Sequence, residues 1–393
     1  MRKAPIKSIK AGMELARPVY GINGEILLNR NTELKPNYLT LLKNMGVSSV
    51  YIKDERLEDV DQSDVIADRT RHEAHSLIKK MFTETAKGGS KAKEFAKLGR
   101  NLNEIVKNII DDLLSNSKLV INLHDIKSTD TYYFEHSLSV TVLSIIMSLK
   151  MEMPVSMIKR NTGGMLLFDI GNIFIPHNIL QKNEPLTSEE FDVIKTHPNK
   201  GFFLLNKTEI IPESARQIVR QHHERIDGEG YPNKLTGKKM NIMSQIVAVA
   251  DVYDALISER PYRPAFHPFQ ALELLSGMVE GLNIDAVRAL FKSVSAFPVG
   301  MHVAFNTGES GLVIGNTPGS PFRPKVRIFY EGKDLSPIAN PYELDLADNL
   351  DVVITKVIKE NEEIEVSLKP FFEKGHEETN CKENETPQPN LHV

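Results

Sequence analysis

The stretch HHERIDGEGYP (His222–Pro232) contains more side chains suited to metal binding or catalysis than any other part of this sequence. It places two adjacent imidazoles directly before a loop rich in acidic residues and glycine. Glycine in such a loop permits tight turns. A lone histidine on an apolar helix is more often a hydrogen-bonded core residue than a ligand. An adjacent pair before this loop instead favours a metal or catalytic site.

Further histidines and aspartates lie on both sides of this stretch. His136 opens an apolar segment, Asp169 lies in LLFDIGNIFIP, His197 lies in KTHP, and Asp251 lies in IVAVADVYDAL. A buried Asp251 is costly unless a metal or a positive side chain compensates its charge. Imidazole and carboxylate ligands without thiolate suit iron, manganese or zinc better than calcium or magnesium. A pair of such ions would serve hydrolysis of a phosphate ester, but these residues alone do not identify the substrate.

Apolar periodicity predicts helices throughout the middle of the chain. Leu102–Leu114 has apolar residues at spacings of three and four. Ser137–Leu149 and Asn241–Ser258 are apolar on several faces, which predicts buried helices. The sequence Thr187–Glu190 is a capping box that predicts a helix start. The predicted fold class is therefore mainly α.

The two ends of the chain have a different texture. Strand-like Gly24–Leu34, a helix over Pro36–Gly46 and a strand over Val47–Asp54 predict a small α+β unit. Gly88–Ser90 predicts a break in the charged region that follows. Short β-like pieces separated by glycine predict a small β-rich C-terminal unit. The predicted parts are an α+β domain (1–55), a charged helical connector (56–100), a helical core (101–295), a β-rich unit (296–370) and a disordered tail (371–393).

Composition excludes several classes of function. The formal net charge is -4, so no global basic field favours nucleic acid as a partner. The one cysteine, Cys381, excludes a disulfide framework and a cysteine-based zinc site. No apolar run follows the basic start, and the longest apolar stretches are too short to span a bilayer. We therefore expect a cytoplasmic protein with no membrane span.

The run His222–Pro232 resembles the signature of HD-GYP proteins, bacterial phosphodiesterases of the HD superfamily that hydrolyse cyclic-di-GMP. YYFEHS (Tyr132–Ser137), KTHP (Lys195–Pro198) and VADVYDALISERPYR (Val249–Arg263) are similar to other motifs of that family, in the same order. The resemblance covers residues 100–295, and the N-terminal unit resembles a domain often found ahead of HD-GYP cores. It implies an all-helical HD-superfamily core.

The resemblance also implies roles for individual residues. The metal-ligand positions are His136, Asp169, His197, His222, His223 and Asp251. They would hold two divalent ions, with iron or manganese favoured over zinc and Asp169 as the bridging carboxylate. Arg260 and Arg263 match positions that hold the phosphates of the dinucleotide, as guanidinium groups do well. The signature loop comprises Gly228, Gly230, Tyr231 and Pro232.

Three positions depart from the family pattern. Phe168 stands where the family has the histidine of its His-Asp dipeptide, which puts one metal position in doubt. Asn172 stands where the family has a phosphate-binding lysine, so it brings hydrogen-bond donors but no charge. Tyr132 stands where some members have a glutamate for a third metal, which argues against a three-metal centre.

Four functions remain open from the sequence. The first is a phosphodiesterase, slowed by these changes, and the second is a degenerate member that binds cyclic-di-GMP or docks a partner without hydrolysis. The third is another HD-superfamily enzyme acting on nucleoside triphosphates or (p)ppGpp, against which the signature argues. The fourth is a pure interaction module. A diguanylate cyclase domain protein and a homodimer are further candidate partnerships.

Overall fold

The structure is a computed structural model of the 393-residue chain. It describes residues 1–20, 26–45, 47, 49–60, 64–86, 92–116, 132–180, 182, 184–208, 210–258, 263, 265–278, 280–332, 334–359 and 362–365. The predicted break at Gly88–Ser90, the residue Arg260 and the predicted tail lie outside these ranges. Within them, every helix is too short or too polar to cross a membrane.

The N-terminal part combines short strands with one helix. Its elements are β1 (Arg2–Pro5), β2 (Val19–Tyr20), β3 (Ile26–Leu28), α1 (Pro36–Asn44) and β4 (Ser49–Ile52). Strand β1 pairs antiparallel with β4, and β2 pairs antiparallel with β3. The buried side chains of this part of the chain form a hydrophobic cluster of their own, which includes Leu15, Leu34 and Val50. The predicted α+β character is confirmed, although the strand expected over Gly24–Leu34 is limited to β3 among the described residues.

Two long helices follow and pack on the central block. They are α2 (Asp68–Ala86) and α3 (Ala92–Ser115). Helix α2 contacts α3 and the next helix, α4 (Tyr132–Lys150). It also contacts the short 3-10 helix Ile170–Phe174. The charged region after the N-terminal unit therefore borders the elements on which the candidate site is built.

The centre of the molecule is helical, as predicted. After α4 come α5 (Val155–Leu166), α6 (His177–Leu180), α7 (Ser188–Ile194), α8 (His197–Thr208), α9 (Glu213–Gln221), α10 (Ile242–Ile257), α11 (Pro268–Gly277) and α12 (Ile284–Ser293). Helices α4 and α10 pack against each other. They are buried over residues 136–148 and 243–256, because both are apolar on several faces. The predicted capping box is present, since Thr187 accepts a hydrogen bond from the Glu190 backbone and the Glu190 side chain accepts one from the Thr187 backbone.

A six-stranded antiparallel sheet follows α12. Its strands are β5 (His302–Phe305), β6 (Glu309–Asn316), β7 (Pro324–Glu331), β8 (Ser336–Asp345), β9 (Ile354–Lys359) and β10 (Glu362–Glu365), in the spatial order β10-β9-β5-β6-β7-β8. Alternate residues such as Val326 and Ile328 are buried and continue the hydrophobic core of the helices. The predicted fold class, a helical core with a small α+β part before it and a β-rich part after it, is confirmed.

Candidate metal centre and cleft

Four of the predicted ligands converge where helix ends meet. Asp169 is the N-cap of the 3-10 helix Ile170–Phe174, and His197 is the first residue of α8. His222 caps the C-terminus of α9, and His223 follows it. All four side chains are buried, and their candidate donor atoms lie within 4.8 Å of one another. We call these four residues the donor cluster.

Two imidazoles of the donor cluster direct their Nε2 atoms at each other. Nδ1 of His197 donates to the carbonyl of Ile194 at 2.8 Å, and Nδ1 of His222 donates to the carbonyl of Val219 at 2.9 Å. A neutral ring that donates from Nδ1 carries its lone pair on Nε2. The two Nε2 atoms lie 3.1 Å apart, a distance at which their lone pairs repel unless a cation joins them. Backbone carbonyls commonly orient metal-binding histidines in this way.

Asp169 supplies negative charge beside these rings. Its Oδ1 lies 3.3 Å from Nε2 of His197 and 3.6 Å from Nε2 of His222. Burial raises the pKa of the Asp169 carboxyl, but the interactions with the two histidines outweigh burial and hold the pKa well below its usual value. Asp169 is therefore ionised at neutral pH.

His223 completes the donor cluster as a neutral imidazole. Burial, followed by the nearby His222 and His197, lowers the pKa of His223 well below its ordinary value. Its Nδ1 is buried, lies 3.9 Å from Oδ2 of Asp251 and has no hydrogen-bond partner among the described residues. A buried polar atom without a partner is costly, and a bound cation would satisfy this one.

The other two predicted ligands bond to each other. Nε2 of His136 donates to Oδ1 of Asp251 at 2.9 Å, and Nδ1 donates to Oδ2 of Asp254 at 2.6 Å. Burial lowers the pKa of His136, but the two carboxylates outweigh burial and raise the pKa above its ordinary value. His136 is thus a positive side chain that compensates Asp251. Because both ring nitrogens are engaged, a ligand role for His136 stays a prediction.

Phe168 occupies the interior beside these histidines. The side chain is fully buried. Its ring meets the ring of His222 edge-on at 5.0 Å and the ring of His136 at 5.6 Å, measured between centroids. A phenyl ring has no lone pair to donate, so position 168 fills space between two histidines without adding a ligand.

The signature loop is fastened to the donor cluster by a buried carboxylate. Glu224 accepts hydrogen bonds from the backbone N–H groups of Asn233 at 2.7 Å and Leu235 at 2.8 Å. The backbone N–H of Tyr231 donates to the carbonyl of His223 at 3.1 Å, and the Tyr231 ring stacks on the His223 ring with centroids 4.7 Å apart. The Tyr231–Pro232 peptide bond is cis. The loop therefore folds back onto His223 and fixes the orientation of its ring.

Gly230 allows this close approach, and Gly230→Ala should destabilise the protein by about 3 kcal/mol. A Cβ atom there would lie 2.3 Å from the backbone nitrogen of Arg225 and 2.5 Å from Cα of Glu224, so backbone must shift. Chemical denaturation measures the loss. The control is Gly277→Ala, where a Cβ atom meets nothing within 4 Å. Equal free energies of unfolding for the two variants would contradict the proposed close packing.

An open cleft of about 810 Å³ lies between α7, α8 and the signature loop. His223 lines it, so one member of the donor cluster faces the cleft. Its cationic lining residues are Lys195, Lys200, Arg225 and Lys234. Its aromatic lining residues are Phe191, Phe203 and Tyr231, and its acidic ones are Asp192 and Glu229. A groove with four cations and two acids favours an anionic ligand.

The predicted phosphate-binding residues do not line this cleft within the described part of the chain. Arg263 donates to the carbonyls of Ala255 at 2.8 Å and Leu256 at 3.2 Å, at the C-terminal end of α10. Asn172 lies in the 3-10 helix Ile170–Phe174 and is half-buried. Arg260 and the Tyr132 side chain lie outside the described residues. Phosphate binding by Arg260, Arg263 and Asn172 therefore stays a prediction.

Sequence reasoning missed two carboxylates that position the site. Glu224 directly follows the histidine pair, and its position within His222–Pro232 could have marked it as a site residue. Asp254 lies three residues after Asp251, and this spacing puts both carboxylates on one face of α10. Both side chains are fully buried, so their hydrogen bonds to the signature loop and to His136 hold those groups in place.

Comparison with family models identifies the helical block. A model described as "HD domain" matches residues 108–287, and a model described as "KOW domain associated with HD domain" matches residues 302–365. The chain therefore contains an HD domain followed by a KOW domain of the kind associated with it. The resemblance to HD-GYP phosphodiesterases is confirmed.

Named relatives agree with this assignment. The chain is 30% identical over 235 residues to "Cyclic di-GMP phosphodiesterase PA4108" of Pseudomonas aeruginosa, covering 60% of this chain and 57% of that protein. It is 42% identical over 130 residues to "Cyclic di-GMP phosphodiesterase" of Thermotoga maritima, covering 32% of this chain and 35% of that protein. Thus the matched part spans less than two thirds of either relative.

A solved structure also resembles the chain. It is Bd1817, an HDG"Y"P protein from Bdellovibrio bacteriovorus, with a TM-score of 0.46 and 19% sequence identity. The likeness covers 73% of this chain and 97% of that one.

The donor cluster fits a divalent metal ion. It offers an ionised carboxylate, two Nε2 atoms that face each other, and the buried Nδ1 of His223. Iron, manganese and zinc accept such mixed nitrogen and oxygen ligands. An HD domain implies divalent metal binding, and these four residues supply a buried place for it.

Proposed function

We propose that this chain is a metal-dependent phosphodiesterase that hydrolyses cyclic-di-GMP. The observation that carries the proposal is the buried donor cluster with His223 at the wall of a cationic cleft. The names of the relatives from Pseudomonas aeruginosa and Thermotoga maritima support the choice of cyclic-di-GMP as substrate. The first product would be linear pGpG, which further hydrolysis would convert to GMP.

The residues of this chain prepare the site in three ways. Asp169 stays ionised and His223 stays neutral at neutral pH, so both keep lone pairs for a cation. Arg225 and the three lysines of the cleft attract the phosphates of an anionic dinucleotide. The Tyr231 ring covers one face of His223 and limits the water around it. When bound, a divalent ion supplies positive charge that offsets negative charge developing on the scissile phosphate.

We propose iron or manganese as the resident metal, with zinc as the alternative. The donor cluster would hold one ion tightly. A second ion would draw on Asp251 and would lack the imidazole that Phe168 replaces. Loss of one ligand weakens metal binding at that second position. Even the loss of a residue that only hydrogen-bonds to a ligand lowers metal affinity or activity about 10–100-fold.

Phe168 also favours a second candidate function. If the second ion is absent, the cleft binds cyclic-di-GMP without cleaving it, and the protein acts as a sensor or docks a partner. The predicted diguanylate cyclase partner, homodimer and domain boundaries stay predictions under either function.

The deciding experiment is hydrolysis of cyclic-di-GMP by purified protein. The protein is prepared without oxygen and supplied with Mn²⁺ or Fe²⁺, and the products are separated by chromatography. We expect pGpG from the wild type and none from Asp169→Ala. Asp285→Ala is the matched control, because Asp285 is an exposed aspartate on α12 paired with Arg288. Tight binding with intact substrate under every metal condition would replace the enzyme by the sensor.

A further inference from the structure

One wall of the cleft is a single face of α8. This wall is formed by Thr196, which precedes α8, and by Asn199, Lys200 and Phe203. Their spacings of three and four residues place them on one side of the helix. His197 of the donor cluster begins this helix. Phe203 lies six residues further on, about 9 Å along the axis at 1.5 Å per residue. The helix therefore begins at the donor cluster, and the wall that it presents to the cleft ends at an aromatic ring.

Phe203 is unusually open for a phenylalanine. It is 57% exposed, although it lies in a cleft whose other aromatic residues, Phe191 and Tyr231, are half-buried. The neighbouring Phe202 is covered by the guanidinium of Arg220, 5.0 Å from its ring centre. An exposed ring in a cationic cleft is the arrangement on which nucleobases stack, because every base has a π face.

Lys200 lies on the same wall, three residues after His197 and three before Phe203. Its ammonium is 3.4 Å from the carbonyl oxygen of Phe174. Lys195, by comparison, is paired with Asp192 at 2.8 Å, whereas the ion pairs within the described residues include none for Lys200. A half-buried ammonium without a carboxylate partner in a cleft is suited to hold a phosphate.

We propose that Phe203 is the stacking platform for one nucleobase of the substrate and that Lys200 holds the phosphate of the same nucleotide. The order along α8 is donor cluster, ammonium and aromatic ring. It matches the order in a nucleotide whose phosphate lies at the donor cluster and whose base points away from it. This assignment rests on the proposed action on cyclic-di-GMP and adds the residue that recognises the base.

The test is the Michaelis constant of Phe203→Ala for cyclic-di-GMP, or its dissociation constant if the wild type binds without hydrolysis. Removing base stacking should raise this constant about tenfold. The turnover number should stay the same, because stacking is equal in the ground state and the transition state. Phe203→Tyr should restore the constant and Phe203→Leu should not, which separates stacking from simple apolar contact.

Phe174→Ala is the matched control, since Phe174 is 44% exposed but does not line the cleft. Lys200→Ala should also raise the constant about tenfold, while Lys207→Ala, on the same helix beyond the cleft, should not. A wild type that hydrolyses or binds cyclic-di-GMP while Phe203→Ala behaves identically overturns this inference alone. A wild type that does neither overturns the proposed function and this inference with it.

Discussion

Replacing His222 and His223 together by alanine should strip the metal from the protein and lower hydrolysis by at least about 100-fold. The double variant removes two of the four donors. Only the Asp169 carboxylate and the His197 imidazole remain. Elemental analysis of the purified protein measures the metal, and chromatography of pGpG measures hydrolysis. We expect metal content to fall from stoichiometric to background.

His177→Ala is the control for this loss, because His177 is exposed at the start of α6 and lies outside the donor cluster. Circular dichroism on the same samples separates loss of metal from loss of fold. An unchanged metal content in a folded double variant would show that the donor cluster is not the metal site.

Restoring the missing family groups with Phe168→His and Asn172→Lys should add a second metal ion and raise hydrolysis about 10-fold or more. The Phe168 ring is buried edge-on between His136 and His222, so an imidazole in its place lies among the predicted ligands. The lysine at position 172 adds a cation for phosphate. Metal stoichiometry and turnover, measured on the same preparation, test the two effects separately.

Phe168→Leu is the control for removing the ring without adding a donor, and it should leave the metal stoichiometry unchanged. A double variant that holds two ions and still fails to hydrolyse would place the defect outside positions 168 and 172. A double variant that gains no second ion would mean that His136 remains locked between Asp251 and Asp254.

Phe168 and His136 lie on one side of the predicted site. Position 168 supplies no imidazole, and both ring nitrogens of His136 are engaged by the carboxylates of Asp251 and Asp254. On the other side, the candidate donor atoms of Asp169, His197, His222 and His223 lie within 4.8 Å of one another. We therefore expect the two sides to have unequal metal affinities.

The sequence by itself determined the fold class and the residues to inspect. Helices α4 and α10 were predicted because segments that are apolar on several faces must be buried. The start of α7 was predicted because Thr187 and Glu190 satisfy each other's backbone groups. The run His222–Pro232 and its spaced partners identified the HD domain. These are local patterns, which can be recognised in a sequence without knowing what packs against them.

Only the tertiary structure decided which of these residues meet. The ligands converge where helix ends that are distant in sequence meet. The tertiary structure therefore shows that the donor cluster and the His136–Asp251 pair are separate groups. It placed Glu224 under the signature loop, Asp254 behind His136 and Arg263 at the end of α10. Hydrogen bonds between residues far apart in sequence follow no periodic pattern along the chain. For that reason the histidines could be predicted from the sequence, but their hydrogen-bond partners could not.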